Sequence, residues 1–202
     1  MRGGAIDRDN AKICTVMVRI PSLVTLSVAS FMALAAVPVP GSAQEADLDD
    51  LFDALRDAGP EAARVIEGRI WAEWSRSGSP TIDLLLERGQ DALQEENPVL
   101  AVEHMTALID HAPNFAEAYN VRATAFFQQG LYGPSLEDIR QALVLNPRHF
   151  VAMSGLGLIL EELGRIEEAL AVWREVVSIH PHQQGAQDAI QRLEREAEGT
   201  AL

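Results

Sequence analysis

The sequence predicts an all-α protein: a helical-repeat solenoid of three helix pairs, with a further helix pair before it and a capping helix after it. Three prolines, Pro113, Pro147 and Pro181, stand 34 residues apart. The segments that end at these prolines repeat one spacing of apolar and small residues, and a period of this length indicates stacked helix pairs. Since one pair cannot bury its apolar face alone, the pairs are expected to stack around a continuous core.

Composition and charge indicate a globular protein and argue against one class of partner. The chain has 202 residues, of which 48% are hydrophobic and 23% charged, as in foldable globular proteins. The formal net charge is −14. Proteins that bind nucleic acids present a basic surface to the phosphate backbone, so no nucleic-acid partner is expected.

The amino-terminal segment has the pattern of a secretory signal peptide. An uncharged apolar run, residues 23–39, follows Arg19 and ends at small residues that include Ala43. We therefore expect residues 1–43 to be a signal peptide, with Met17 as a possible true start, and the protein to be exported without a stable membrane anchor after cleavage. The alternative is a membrane-spanning helix, but 17 residues interrupted by Pro38 lie at the short limit for a span.

Residues 44–81 are predicted to form a helix pair and a connector. Apolar residues recur at helical spacing from Leu48 to Leu55, Gly59-Pro60 separates two helices, and the second is expected over residues 60–76. Trp71 and Trp74 lie on this second helix. They could be core or a possible interface, and residues 47–77 could be a degenerate fourth repeat.

The repeats are predicted at residues 82–115, 116–149 and 150–183. Residues 184–202 are predicted to form a capping helix and a tail. The middle repeat has aromatic, small and turn residues at the spacing of the tetratricopeptide consensus: Tyr119, Ala123, Phe126, Gly130, Tyr132, Ser135, Ala142 and Pro147. The chain thus resembles tetratricopeptide repeat proteins, and in particular exported ones of the bacterial periplasm. Arg122 departs from the consensus, which often has leucine at this position.

The resemblance implies a concave groove formed by the first helix of each repeat. It places nine candidate partner-binding residues in that groove: Gln90, Gln94, Glu117, Asn120, Thr124, Phe127, Gln128, Leu158 and Glu161. None of them is basic, so a clamp for a terminal carboxylate is not expected. The acidic and amide-rich lining favours a neutral or basic protein or peptide segment.

No catalytic, metal or cofactor site is predicted. His180 and His182 flank Pro181 at a helix end, where a solvated position explains them better than metal binding. Acidic pairs are frequent in so acidic a chain and indicate solvated faces.

The sequence therefore predicts a non-catalytic interaction scaffold of the cell envelope that is soluble in the periplasm. The alternative is a self-associating or complex-assembly subunit that acts through the N-terminal helix pair. An enzyme or small-ligand binder fits less well. The oligomeric state is left open.

Overall fold

The computed structural model describes residues 40–200, with side chains described for residues 47–198. This part of the chain folds into helices only. They are α1 (Pro40–Asp57), α2 (Pro60–Trp74), α3 (Pro80–Gln94), α4 (Pro98–His111), α5 (Ala116–Gln128), α6 (Tyr132–Leu145), α7 (Phe150–Glu162), α8 (Ile166–Ile179) and α9 (Ala186–Thr200). The predicted signal peptide lies outside the described residues, apart from residues 40–43, which begin α1.

Helices α3–α4, α5–α6 and α7–α8 form antiparallel pairs, one in each predicted repeat. Each pair stacks on the next through α4 against α5 and α6 against α7. Gly130 and Gly164 end the first helices of two pairs with φ of +70° and +68°, the left-handed turn that the pattern predicts. The first pair has Glu96 in the left-handed region instead, with φ of 56°.

Small residues set the distance between paired helices. A Cβ atom added to Gly89 would lie 2.4 Å from Cε of Met105, and one added to Gly157 would lie 2.7 Å from the indole of Trp173. Both glycines therefore permit the close approach expected of them.

The N-terminal pair, α1 and α2, does not continue the stack next to α3. Its core residues Phe52, Leu55, Ile70 and Trp74 instead pack around Phe150 at the start of α7. The pair therefore does not lie where a repeat stacked before α3 would lie. Helix α2 also ends at Trp74, two residues before the predicted end.

The residues of the first repeat explain why nothing stacks on α3. In the second repeat, Ala118, Val121 and Ala125 of α5 are buried and pack on the preceding pair. The residues 34 positions earlier are Leu84, Glu87 and Asp91, and all three are exposed. Two carboxylates at these positions would be costly to bury, so the first repeat ends the stack.

Helix α9 covers the other end of the stack. Its Ala186, Ala189 and Leu193 are buried against α8, in the cluster that contains Trp173 and Val176. The predicted capping helix is confirmed.

Over the described residues, no helix is long and apolar enough to span a lipid bilayer.

Candidate functional site

The concave side of the stack contains an apolar cleft between α5 and α7, with α6 beneath it. Its volume is about 210 Å³. The side chains around it are mostly apolar: Asn120, Ala123, Thr124, Phe127, Ser135, Ile139, Val151, Ala152, Ser154, Gly155, Leu158 and Ile159.

The hydroxyl groups of the cleft already donate their hydrogens within the protein. Thr124 Oγ1 donates to the carbonyl of Asn120 at 3.0 Å, and Ser154 Oγ donates to the carbonyl of Phe150 at 2.8 Å. What these oxygens offer a ligand is therefore lone pairs, which accept hydrogen bonds. The cleft suits an apolar side chain whose neighbouring backbone presents N–H groups.

Four of the nine candidate groove residues meet at this cleft: Asn120, Thr124, Phe127 and Leu158. Leu158 is 44% exposed, so its side chain remains open to a partner. Thr124 is exposed as well.

The other candidates lie elsewhere. Gln90 is half-buried on α3, and its Nε2 has no hydrogen-bond partner among the described residues, while Gln94 and Gln128 are exposed at helix ends. Glu161 accepts hydrogen bonds from Trp173 Nε1 at 2.5 Å and from Arg192 at 2.6 Å. It therefore helps to attach α8 and α9 to α7.

Glu117 is buried rather than open to the groove. Its exposed fraction is 2%, and that of Asn120 is 6%. Two donors reach its carboxylate: Asn120 Nδ2 at 3.4 Å and His149 Nε2 at 2.9 Å. Glu117 also lies in the first turn of α5, where the helix dipole favours a negative charge.

The hydrogen bonds of His149 define its tautomer. Its Nδ1 accepts a hydrogen bond from the backbone N–H of Ala152 at 3.2 Å and thereby caps α7. Because Nδ1 is an acceptor, the proton is on Nε2, which donates to Glu117.

The N-terminal pair covers this end of the groove. The indole of Trp74 stacks on the imidazole of His149, with 4.2 Å between ring centroids and 22° between planes. Trp74 also contacts the ring of Phe150 at 5.0 Å. The pair therefore takes up the groove end at which Glu117 and Asn120 were expected to meet a partner.

Polar contacts hold the same pair at its edges. Arg148 donates to Asp49 of α1 at 2.5 Å and lies over the ring of Phe52 at 4.2 Å. His182 Nε2 is 3.0 Å from the carbonyl oxygen of Ala58 and hydrogen-bonds to it.

His180 is buried, against the expectation of a solvated helix end. It is 1% exposed, packs edge-on against Phe150 and lies 3.5 Å from Glu67 of α2. Burial lowers the pKa of His180, and the nearby carboxylate of Glu67 opposes that shift only in part. The N-terminal pair creates this environment, which the repeat pattern alone does not reveal.

Sequence reasoning thus missed His149, Phe150 and His180 as a docking surface. One signal was present: position one of the third repeat is Phe150, where the other repeats have Ile82 and Ala116. A larger aromatic residue here, next to a histidine, indicates an additional packing partner.

Across the residues with described side chains, no group of three or more histidine, cysteine, aspartate or glutamate residues is arranged to hold a metal ion.

Comparisons with known proteins agree on the fold. The tetratricopeptide repeat family model matches residues 86–133 and 134–189, about half of the chain. A TPR repeat-containing protein of Rhizobium etli is 36% identical over 153 residues, which are 75% of either chain.

Solved structures give the same result. The TPR domain of Arabidopsis OM64 is 25% identical with a TM-score of 0.55, and the match covers 57% of this chain and 95% of that one. The first TPR domain of Spaghetti (RPAP3), bound to an HSP90 peptide, is 21% identical with a TM-score of 0.56, covering 58% and 95%.

Proposed function

This chain belongs to the tetratricopeptide repeat family, and from that premise we propose that it binds a segment of a partner protein in the cleft between α5 and α7. Members of this family and its structural neighbours are non-catalytic protein-binding scaffolds. The observation that carries the proposal is the cleft itself, which is apolar, about 210 Å³ in volume and bordered by the exposed Leu158.

The chemistry of the cleft defines the segment that it fits. Phe127, Ile139 and Leu158 surround a space for one apolar side chain, and Thr124 and Ser154 offer acceptors to backbone N–H groups. The formal charge of −14 favours a neutral or basic segment over an acidic one. The HSP90 peptide bound by the Spaghetti TPR domain is a precedent for peptide binding by this fold.

We place this interaction in the cell envelope, with the protein exported to the periplasm. Support comes from the uncharged apolar run at residues 23–39 and the small residues that follow it. Cell fractionation and amino-terminal sequencing test this part. A mature chain that begins at Gln44 is expected, and a chain that retains residues 17–43 contradicts export by cleavage.

Site-specific photo-crosslinking in cells tests the cleft. We expect a photoreactive amino acid at Leu158 to capture a partner, and the same group at Val144 to capture none. Val144 is a suitable control because it is an apolar residue on α6, outside the cleft, and is more accessible (63% exposed) than Leu158 (44% exposed). Thr124→Arg should abolish the adduct at position 158, since the long charged side chain would enter the cleft.

The result that would overturn cleft binding is equal capture at the two positions, or capture that Thr124→Arg does not change. The protein's stability should be unaffected by Thr124→Arg, because Thr124 is exposed. A melting curve of this variant separates lost binding from lost folding.

Assembly through the N-terminal pair is a second candidate, favoured by one observation. Trp71 is 45% exposed on α2, and Val65 on the same helix is 66% exposed. If these side chains join copies of the chain, the mass in light scattering should exceed that of a monomer and return to it in Trp71→Ala. A monomer at all concentrations would exclude this candidate.

A further inference from the structure

The N-terminal pair occupies part of the surface that a partner would use. We propose that α1 and α2 form an acid-released clasp on the groove: protonation of His180 undocks the pair and uncovers Glu117 and Asn120. The clasp consists of contacts within this chain and requires no partner. Only its consequence for a partner rests on the proposed function.

The clasp divides the groove into a covered end and an open end. At the covered end, Trp74 stacks on His149, which hydrogen-bonds to the buried Glu117. At the open end, Thr124 and Leu158 remain exposed. Asn120 belongs to both, because it donates to Glu117 and also lines the cleft. Undocking therefore lengthens the available groove at the Asn120 end.

His149 links the repeats to the docked pair. Its Nε2 donates to Glu117 and its Nδ1 accepts from the N–H of Ala152. The stacked indole of Trp74 covers the ring and keeps water from it.

The docked position of His180 opposes its protonation. Neither of its ring nitrogens has a hydrogen-bond partner within the described residues, and the side chain is almost fully buried. A charge here faces Phe150 on one side and the carboxylate of Glu67 at 3.5 Å on the other. Docking of α2 is what removes this ring from water.

The remaining charged groups at the contact lie on every element involved. Asp49 of α1 pairs with Arg148, Glu67 lies on α2, Glu117 on α5, and His182 follows α8. Aspartate and glutamate ordinarily titrate near pH 4 and histidine near pH 6.5, about two units apart. Mildly acidic solution is therefore the range in which protonation of His180 is expected to act on the clasp.

The direction of the effect follows from the lowered pKa of His180. The docked form holds a proton less readily than the undocked form does, so acid favours undocking. The free energy of docking is most favourable above about pH 6.5, the ordinary histidine value. It becomes less favourable as the pH falls below that value toward the lowered pKa.

The connector allows the pair to leave without unfolding the repeats. Residues 75–79 join α2 to α3, and Gly78 among them has a φ of +80°, a conformation suited to glycine. The start of α3 is held independently, because the N–H and Oγ of Ser77 donate to Asp83 at 2.9 and 2.5 Å.

Hydrogen exchange of the full chain, followed by mass spectrometry, measures undocking without any partner. Protection factors, which correct for the intrinsic effect of pH, are compared between about pH 7.5 and 5.5. We expect protection in α1 and α2 to fall about tenfold or more, with α5 to α8 retaining theirs. Unchanged protection, or an equal fall in all helices, would overturn the proposal.

Two variants assign the effect to His180. His180→Gln removes its titration, so the clasp of this variant should stay docked at the lower pH. If it undocks at the same pH as the natural chain, other groups are responsible and the proposal fails.

Glu67→Gln serves if His180→Gln does not fold. Its side chain is 38% exposed, so the change is tolerable for folding. Because Glu67 stabilises the charged form of His180, its loss should move undocking to higher pH. A shift to lower pH, or no shift, would contradict the clasp. The cleft experiment above is independent of this result.

Discussion

Gly157 illustrates how one side chain decides whether two helices of a repeat can meet. The indole of Trp173 fills the space where a Cβ would stand, while the neighbouring glycine of the same helix, Gly155, has its nearest contact at 3.5 Å, from Ile139. The two positions share a helix but not an environment.

We predict opposite effects for alanine at these two glycines. Gly157→Ala should destabilise the protein by about 1–3 kcal/mol, because the indole must move. Gly155→Ala should be neutral or stabilise it by up to about 1 kcal/mol through helix propensity. Chemical denaturation followed by circular dichroism measures both. Equal effects would show that the contact with Trp173 is not the cause.

Arg122 is a second residue whose role depends on its neighbour. It stands where the family often has leucine, and its guanidinium makes two hydrogen bonds to Asp138 of α6, at 2.7 and 2.8 Å. The bond to Asp138 is the main cause of a raised pKa of Arg122. An ion pair therefore joins α5 to α6 at this position in place of an apolar contact.

Among the helices, α2 differs most from what a repeat pattern leads one to expect. Its two tryptophans are three residues apart, yet Trp74 is 9% exposed in the cluster with Phe52 and Phe150, while Trp71 is 45% exposed. Helix α2 therefore has one face that attaches the N-terminal pair and one that remains available.

Alanine substitutions at the two tryptophans should distinguish these two faces. We expect Trp74→Ala to cost about 3–5 kcal/mol of local stability, seen as lost exchange protection in α1 and α2. Trp71→Ala should cost less than about 1 kcal/mol in the same measurement. Comparable losses would mean that Trp71 also belongs to the core of the pair.

At the scale of the whole molecule, the stack has two ends that are made differently. The first repeat ends it with the exposed carboxylates Glu87 and Asp91, which need no cover. The last repeat has an apolar side that α9 covers through Leu193. A solenoid requires such endings, because an open apolar end would bind further repeats or other chains.

Truncating a side chain that attaches α9 to α8 should therefore destabilise the entire array. Leu193→Ala removes a fully buried side chain and should destabilise the protein by about 2–5 kcal/mol. Arg195→Ala, at an exposed position on the same helix, should change stability by less than about 0.5 kcal/mol. Thermal unfolding measures both, and a Leu193→Ala value near the control would contradict the capping role of α9.

The sequence by itself determined the repeats, because their period reflects contacts between residues that are close in the chain. The prolines, the turn glycines and the small residues at Gly89 and Gly157 each act within one helix pair. Only the tertiary structure decided where the N-terminal pair lies and which groove residues it covers. Contacts such as Trp74 on His149 join segments about 75 residues apart, and no local spacing encodes them. Glu117 and Asn120 follow the groove pattern of the family, yet both are buried, and the distant Trp74 covers the His149 ring that hydrogen-bonds to Glu117.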